Sequence, residues 1–259
     1  IIPPHRLFEP EIFKSDKKIE EVVNLISKAK KPIFYIGGGC INSGPKASEL
    51  VSQFVEMTGA PATMTLMGLG VLGSSHSNSL GMLGMHGMYE ANMAMNECDV
   101  MINIGARFDD RVTGRLDAFS PNSKKIHIDI DESNINKTIK VDVPVVGDVT
   151  SVLSKIIKIW KDKKLKTNKS DIKLWWDKIN NWKKVDCLNF TNNEKEIKPQ
   201  YAVQRLYELT KDKKTFITTE VGQHQMWAAQ FYKFEKPNRW LTSGGLGTMG
   251  YGFPAAIGA

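Results

Sequence analysis

Short apolar runs recur along the first 150 positions, and each is followed by a polar or glycine-containing turn. The runs are PIFYI (32–36), ATMTL (62–66), VMINI (100–104), KIHIDI (125–130) and VPVV (143–146). A run that is apolar on both faces is typical of a strand in a parallel sheet that helices cover on both sides. We therefore predict an α/β fold whose central domain is a doubly wound parallel sheet of five or six strands between Pro32 and Val146.

Between and after these runs, apolar residues recur with the spacing of amphipathic helices. Such patterns cover 16–31, 45–59, 89–96, 151–164, 172–182 and 199–209. A β-branched strand at 215–219 and a helix opened by Pro254 indicate a second α/β domain. The predicted organisation is an interdomain linker (1–18), a central domain (19–165), a connecting helix and linker (166–198) and the start of the second domain (199–259). We expect the sequence to belong to a longer protein, because the part after 199 is short for such a domain.

The net charge of +7 comes from one segment. Residues 151–198 hold 13 Lys and no Arg against 6 acidic residues, and the rest of the chain holds 22 basic and 22 acidic residues. Tryptophans in this segment follow helical spacing, which favours a packed helix face over a base-stacking platform. We therefore expect no nucleic-acid partner. We also expect no membrane partner, since there is no apolar run of about 18 residues.

The three cysteines lie far apart in the sequence and form no CxxC pair. A disulfide framework and a zinc site are therefore not indicated, and a reducing compartment fits best.

A concentrated charged segment, GARFDDRVTGR (105–115), follows the VMINI run directly. In open α/β sheets, ligands bind beyond the carboxyl ends of the strands, so these charges stand where a small anion or a cofactor is held. The candidate side chains are Arg107, Asp109, Asp110, Arg111 and Arg115. The alternative is a solvated turn whose charges pair with one another.

Glycines mark two further candidate ligand loops. Gly37 to Gly39 lie between a strand and a helix, where bare backbone amides can approach a phosphate. The segment departs from GxGxxG because position 42 is Asn, so a tight turn explains it equally well. The run 244–252 has five glycines before Pro254, which allows close approach of a phosphorylated or flat ligand and displays Met249 to it.

Two other segments have a structural and a functional interpretation. LGMHG (83–87) suits a flat ring or an aliphatic stem, or it pads a core loop. A lone His86 is typical of a hydrogen-bonded structural residue, because no second metal ligand lies near it. HIDID (127–131) puts Asp129 and Asp131 on one side of a strand end. There an acid accepts hydrogen bonds from ribose or caps a helix around Glu132.

Taken together, these segments resemble one family closely: the catalytic large subunits of acetohydroxyacid synthase, also called acetolactate synthase. The resemblance covers about residues 19–259. Its most specific strings are MGLG (67–70), LGMLGMHGMYEAN (80–92), GARFDDRVTG (105–114), HIDID (127–131), VGQHQMW (221–227) and SGGLGTMGYGFPAAIGA (243–259), in family order.

The resemblance implies a transferase that uses thiamine diphosphate, magnesium and FAD. Such an enzyme decarboxylates pyruvate and joins the two-carbon unit to a second 2-ketoacid, pyruvate or 2-ketobutyrate, in the first common step towards valine, leucine and isoleucine. FAD makes no net redox change in it. The family's activating glutamate and its GDG-type magnesium motif are not in this sequence. We therefore expect the magnesium ligands to lie outside it and the 259 residues alone not to turn over.

By resemblance, the central domain holds FAD and the second domain holds thiamine diphosphate. The implied FAD residues are Gly37, Gly38, Gly39, Thr65, Leu66, Met67, Leu83, Gly84, Met85, His86, Gly105, Ala106, Arg107, Asp109, Arg111, Asp129, Ile130 and Asp148. The implied thiamine diphosphate residues are Val221, Gly222, Gln223, His224, Gln225, Met226, Gly247 and Met249. Gln223, His224 and Met249 are the implied catalytic residues, and Met249 would bend the cofactor into its V shape.

Met85 and Arg111 match family residues near the second ketoacid. There the guanidinium of Arg111 would pair with the substrate carboxylate. We expect Asp110 to keep Arg111 oriented.

The resemblance also implies a homodimer or tetramer at full length and a small regulatory subunit. It implies a location in a bacterial cytoplasm, or in a plastid or mitochondrion. Two other interpretations of the sequence stay open. One is another thiamine-dependent flavoenzyme, such as a pyruvate oxidase or a glyoxylate carboligase. The other is a non-catalytic nucleotide-binding module, which leaves VGQHQMW and the glycine run without a role.

Overall fold

The structure is a computed structural model that describes residues 16–193 and 195–259. Residues 1–15, which make up most of the predicted interdomain linker, lie outside the described residues. So does Glu194, within the predicted connecting segment.

The first part of the chain forms one six-stranded sheet. Its strands are β1 (Pro32–Ile36), β2 (Ala62–Met64), β3 (Ser79–Met82), β4 (Val100–Ile104), β5 (Lys124–Asp129) and β6 (Val143–Val146). All neighbours are parallel, in the order β3-β2-β1-β4-β5-β6. The predicted parallel sheet is confirmed. Sequence reasoning missed β3, because its SLGM has no β-branched residue and Gly81 has a φ of 72°.

Ten α-helices are present in the described residues. They are α1 (Asp16–Lys28), α2 (Gly39–Asn42), α3 (Pro45–Thr58), α4 (Tyr89–Glu97), α5 (Asp110–Thr113), α6 (Val149–Asp162), α7 (Lys169–Lys183), α8 (Pro199–Thr210), α9 (Gln223–Phe231) and α10 (Gly252–Gly258). α1, α3 and α6 cover one face of the sheet, while α4 and α7 cover the other. The doubly wound prediction is therefore confirmed.

The tryptophan-bearing helix α7 is packed, as its spacing predicted. Ile172, Trp175 and Ile179 are buried. The indole nitrogen of Trp175 donates to the Pro32 carbonyl at 3.0 Å, and that of Trp176 donates to the Gly59 carbonyl at 2.8 Å. The indoles therefore anchor α7 to the start of β1 and the end of α3.

The second part of the chain holds α8, α9, α10 and a parallel pair of two-residue strands, β7 (Ile217–Thr218) and β8 (Trp240–Leu241). It packs on the first part through Phe234, whose carbonyl accepts from the Ser74 amide at 3.0 Å and whose ring joins the core of the central sheet. The predicted strand 215–219 was too long. The helix that Pro254 was to open begins at Gly252, because the carboxylate of Glu220 caps it there.

Within the described ranges, no helix combines the length and the apolar character that crossing a membrane requires.

Candidate functional site at the carboxyl edge of the sheet

The carboxyl ends of five parallel strands bring the predicted site segments together. Gly37 to Gly39 follow β1, 65–67 follow β2, 83–86 follow β3, 105–111 follow β4, and Ile130 follows β5. Such an edge is where open α/β sheets bind ligands.

The glycines after β1 and β4 interlock. A Cβ on Gly37 would lie 2.1 Å from the Gly105 carbonyl oxygen, and one on Gly39 would lie 2.7 Å from the Gly105 Cα. Gly105 itself has a φ of 65°, and its own Cβ would meet the Gly39 Cα at 2.8 Å. The Gly39 amide donates to the Gly105 carbonyl at 3.0 Å. These glycines therefore let two loops touch, which is the turn interpretation of the triple glycine, and they bring the charged loop against the start of α2.

The loop after β2 continues this contact towards the second part of the chain. Thr65 caps a short 3-10 helix (Leu66–Gly68) by accepting from the Gly68 amide at 3.0 Å. A Cβ on Gly38 would lie 3.0 Å from the Met67 Cβ, and one on Gly244 would lie 2.4 Å from the Met67 sulfur. Met67 thus lies between the triple glycine and the first residue of the glycine run.

The loop after β3 contacts the charged loop. The Met85 amide donates to the Arg111 carbonyl at 2.8 Å, and a Cβ on Gly84, which has a φ of 95°, would lie 2.7 Å from the same oxygen. Asn92 holds this loop from α4. Its Oδ1 accepts from the Gly84 amide at 2.8 Å, and its Nδ2 donates to the Gly84 carbonyl at 2.9 Å.

The sequence analysis did not identify Asn92 as a site residue. Asn is a poor helix former, so its position inside α4 could have indicated that its side chain bonds a backbone group outside the helix. From the second part of the chain, Gln230 Nε2 donates to the His86 carbonyl at 2.9 Å. The loop after β3 is thereby joined to α9.

The charged loop presents its ions to solvent in pairs. Arg107 bonds Asp109 at 2.8 Å, Arg111 bonds Asp110 at 2.9 Å, and all four side chains are more than half exposed. Arg115 pairs with Asp117 in the same way. The predicted contact between Asp110 and Arg111 is present. The charges also pair with one another, as the alternative interpretation expected, and they do so at the edge where open α/β sheets bind ligands.

A cleft of about 430 Å³ lies between the charged loop and the loop after β3. Met85, Asn92 and Arg111 line it.

The acids at the ends of β5 and β6 accept hydrogen bonds from groups of the chain itself. Asp129 accepts from the Asp131 amide at 2.9 Å, and Asp131 caps the 3-10 helix Glu132–Asn134. Asp148 caps α6 through the Ser151 amide and accepts from the Ser43 hydroxyl. Burial alone would raise the pKa of Asp129, but the His127 ring, whose Nε2 lies 3.6 Å from an Asp129 oxygen, and the hydrogen bond from the Asp131 amide lower it below its ordinary value.

The predicted thiamine residues lie at the start of α9 and in the glycine run. Gln223 and His224 are exposed, Val221 and Met226 are half-buried, and Gly222 precedes the helix with a φ of 150°. Gln225 is buried and donates to the Thr242 hydroxyl at 2.6 Å, so its amide stabilises the base of the run. Met249 is 79% exposed, as its display on the run predicted.

Sequence reasoning missed Glu220. Its two carboxylate oxygens accept from three backbone amides of the glycine run, Gly250 at 2.5 Å, Tyr251 at 3.1 Å and Gly252 at 2.6 Å, and from the next amide, Phe253, at 3.3 Å. Desolvation alone would raise the pKa of Glu220, but these amides lower it below its usual range. A contact between residues 30 positions apart leaves no local sequence signal.

The residues at this edge fit a large, flat, anionic cofactor. Met67, Met85 and Ile130 leave large apolar side chains exposed at the same edge of the sheet as Arg107 and Arg111. Exposed apolar surface next to guanidinium groups matches an aromatic ring system that carries phosphates. No group of three or more His, Cys, Asp or Glu suited to a metal occurs among residues 16–193 and 195–259.

Comparison with known proteins gives two family matches. Residues 19–156 match the family described as "Thiamine pyrophosphate enzyme, central domain". Residues 220–259 match "Thiamine pyrophosphate enzyme, C-terminal TPP binding domain".

Three similar proteins carry related names. The acetolactate synthase large subunit of Buchnera aphidicola subsp. Schizaphis graminum is 46% identical over 253 residues, 98% of this chain and 43% of the relative. Acetolactate synthase isozyme 3 large subunit of Escherichia coli (strain K12) is 42% identical, over 98% of this chain and 44% of its own. The chloroplastic acetolactate synthase of Arabidopsis thaliana is 48% identical, over 94% and 36%. The chain thus spans less than half the length of these relatives.

Proposed function

This chain belongs to the thiamine pyrophosphate enzyme family, and from that premise we propose that the whole protein is the large subunit of an acetolactate synthase. Its reaction would decarboxylate pyruvate and transfer the two-carbon unit to a second 2-ketoacid. One observation carries the proposal. The loops proposed for FAD and ketoacid contact the segments proposed for thiamine diphosphate, through Met67 against Gly244 and through Gln230 on the His86 carbonyl.

The second ketoacid is proposed to bind in the cleft between Met85 and Arg111. The Arg111 guanidinium is exposed and can form a bidentate pair with a carboxylate, while Asp110 keeps it extended along the cleft. Met85 supplies apolar surface for the short alkyl group of pyruvate or 2-ketobutyrate. The two residues together distinguish a ketoacid from a neutral carbonyl compound.

FAD is proposed to bind along the edge formed by the loops after β1, β2, β4 and β5. Arg107 and Asp109 supply polar contacts, and Met67 and Ile130 supply apolar surface. Gly37, Gly39 and Gly105 act indirectly, because they hold the loops in contact. The carboxylates of Asp129 and Asp148 also act indirectly, because they accept hydrogen bonds from the Asp131 and Ser151 amides and so fix the backbone after β5 and β6.

Thiamine diphosphate is proposed to bind between the start of α9 and the glycine run. When bound, it supplies the electron sink for decarboxylation. Gln223 and His224 are exposed at the start of α9, where they can contact the cofactor, and Met249 can support its bent shape. Glu220 fixes the backbone that follows Met249. Magnesium would take its ligands from outside the described residues.

A small regulatory subunit is proposed as a partner, because bacterial relatives are named large subunits. We propose that the full-length enzyme is a homodimer or tetramer in the pathway to valine, leucine and isoleucine. Its location would be a bacterial cytoplasm or a plastid, by analogy with bacterial and chloroplastic relatives.

The test is acetolactate formation from pyruvate by the full-length enzyme, with thiamine diphosphate, magnesium and FAD added or omitted. We expect acetolactate only when thiamine diphosphate and magnesium are present, and no hydrogen peroxide. Peroxide formation in place of acetolactate would show an oxidase and refute the proposal.

A further inference from the structure

A row of polar side chains crosses the middle of the central sheet, on the face that α4 and α7 cover. Thr63, Tyr35, Asn103 and His127 are cross-strand neighbours on β2, β1, β4 and β5. None of them exposes more than 1% of its surface. Burying a polar group is costly unless it is hydrogen-bonded, so the partners of these side chains matter. Thr63 donates to the Gly81 carbonyl at 3.0 Å, and His127 Nδ1 has no partner in the described residues.

Asn103 and His127, the members of this row on β4 and β5, bond the same residue. Asn103 Nδ2 donates to the Ala106 carbonyl at 2.8 Å, and Asn103 Oδ1 accepts from the Ala106 amide at 3.0 Å. His127 Nε2 lies 2.9 Å from the same carbonyl oxygen and donates to it, because a carbonyl only accepts. Three hydrogen bonds from two strands therefore fix Ala106, the second residue of the charged loop.

The next residues of the loop are built on this anchor. Phe108 has a φ of 59°, and its ring is buried. The centroid of this ring lies 5.1 Å from that of the His127 ring and 5.5 Å from that of the Tyr35 ring. A bulky residue holds such a backbone conformation only where its surroundings fix it. Arg107 and Asp109, on either side of Phe108, are thereby directed outwards and bond each other at 2.8 Å.

Arg111 is held by other contacts. Its carbonyl accepts from the Met85 amide, and Asn92 holds the adjoining Gly84. Among the described residues, no hydrogen bond of the polar row reaches Arg111. The anchor at Ala106 and the support of Arg111 are therefore separable.

We propose that Asn103 and His127 are positioning residues for the flavin-binding part of the charged loop. They hold Ala106 so that Arg107 and Asp109 present a fixed ion pair to FAD. The inference rests on the proposed function for its ligand, whereas the anchor itself rests on the hydrogen bonds to Ala106.

The experiment compares matched variants of the full-length enzyme. His127→Phe keeps a ring but removes the donor, and Asn103→Leu keeps the volume but removes both hydrogen bonds. His127→Gln restores an amide donor in place of Nε2. Thr58→Val is the control, because it removes a buried hydroxyl that bonds the Phe54 carbonyl at 3.0 Å, at the end of α3 and away from the loop.

Two quantities are measured: hydrogen exchange of the peptide 105–113 without FAD, and FAD affinity from quenching of flavin fluorescence. In His127→Phe and Asn103→Leu we expect exchange about tenfold faster and FAD affinity about tenfold weaker, because a buried hydrogen-bond network is lost. His127→Gln should return both to within about threefold of wild type. Thr58→Val should change neither. The Michaelis constant for the second ketoacid at saturating FAD should stay unchanged throughout.

Unchanged exchange in both loss-of-contact variants would overturn the anchor. Faster exchange with unchanged FAD affinity would overturn its role in flavin binding. A wild-type enzyme that binds no FAD would refute the proposed function, and the exchange data would still test the anchor. If His127→Phe does not fold, His127→Asn replaces it, because its shorter amide does not reach Ala106.

Discussion

The charged loop (105–115) and the glycine run (244–252) are both glycine-containing candidate ligand loops, but the chain holds them by different means. The charged loop is fixed by the interlock of Gly37, Gly39 and Gly105 and by hydrogen bonds from two buried strand residues to Ala106. The glycine run is exposed along most of its length, and the carboxylate of Glu220 supplies most of its hydrogen bonds.

The difference separates two ways of building a site. The shape of the charged loop is part of the packed fold, so a change that disturbs it must also destabilise the sheet. The shape of the glycine run depends on a few surface contacts, so a change there should affect the ligand and spare the fold.

The largest expected effect comes from adding one methyl group to each loop. Gly105→Ala should lower the free energy of unfolding by about 3 kcal/mol or more, because φ is positive and the Cβ meets the Gly39 backbone at 2.8 Å. Gly245→Ala should change it by less than about 0.5 kcal/mol, since nothing lies within 4 Å of its Cβ. Urea unfolding measures both. Equal destabilisation by the two changes would refute the comparison.

Within the charged loop, the two arginines should separate by ligand. Arg111→Ala should raise the Michaelis constant for the second ketoacid about ten- to a hundredfold, because it removes a charge-assisted pair. FAD affinity should change far less. Arg107→Ala should weaken FAD affinity and change the Michaelis constant for the second ketoacid far less. Steady-state kinetics and flavin titration check this, and equal losses in both ligands from Arg111→Ala would contradict the assignment.

On the glycine run, Glu220→Gln should raise the half-saturating concentration of thiamine diphosphate about tenfold, since a neutral amide cannot accept from all four backbone groups. Unfolding by urea should change little. Glu21→Gln, an exposed acid on α1, is the matched control and should leave the cofactor requirement as it is. A Glu220→Gln enzyme with normal cofactor dependence would show that the run needs no such support.

The smallest expected effect is on the stability of the fold at acidic pH. The pKa of Asp129 is lowered in the folded chain, so its contribution to stability is present above its unfolded value and is lost as pH falls below about 4. Asp129→Asn should flatten this acid limb and leave stability at neutral pH less changed than Gly105→Ala does. Urea unfolding at a series of pH values measures the slope, and an unchanged slope would contradict the role of Asp129.

The sequence predicted the sheet well because its information is local. A run such as VMINI predicts a buried parallel strand whichever strands lie beside it. The helical spacing of the tryptophans likewise predicts the packed face of α7. The strand β3 was missed because the burial of SLGM is set by β2 beside it and not by its own residue types.

The candidate site was predicted less completely, for a related reason. Exposed residues such as Arg107 and Met249 stand out in motifs. Their supports do not, because Asn103, Glu220 and Asn92 act on backbone groups that only the fold brings near. The triple glycine is compatible in sequence with a phosphate loop or a turn, and only the folded chain shows that the absence of side chains at Gly37 and Gly39 makes room for Gly105.

A crystal structure of the full-length enzyme with FAD and thiamine diphosphate bound tests the proposed positions of the two cofactors most directly. We expect FAD along the carboxyl edge of the central sheet, in contact with Arg107 and Met67, and thiamine diphosphate against Met249, with the Met67–Gly244 contact between the two sites preserved. FAD at the amino edge of the sheet, or the two cofactors on separate faces of the molecule, would contradict the proposed positions.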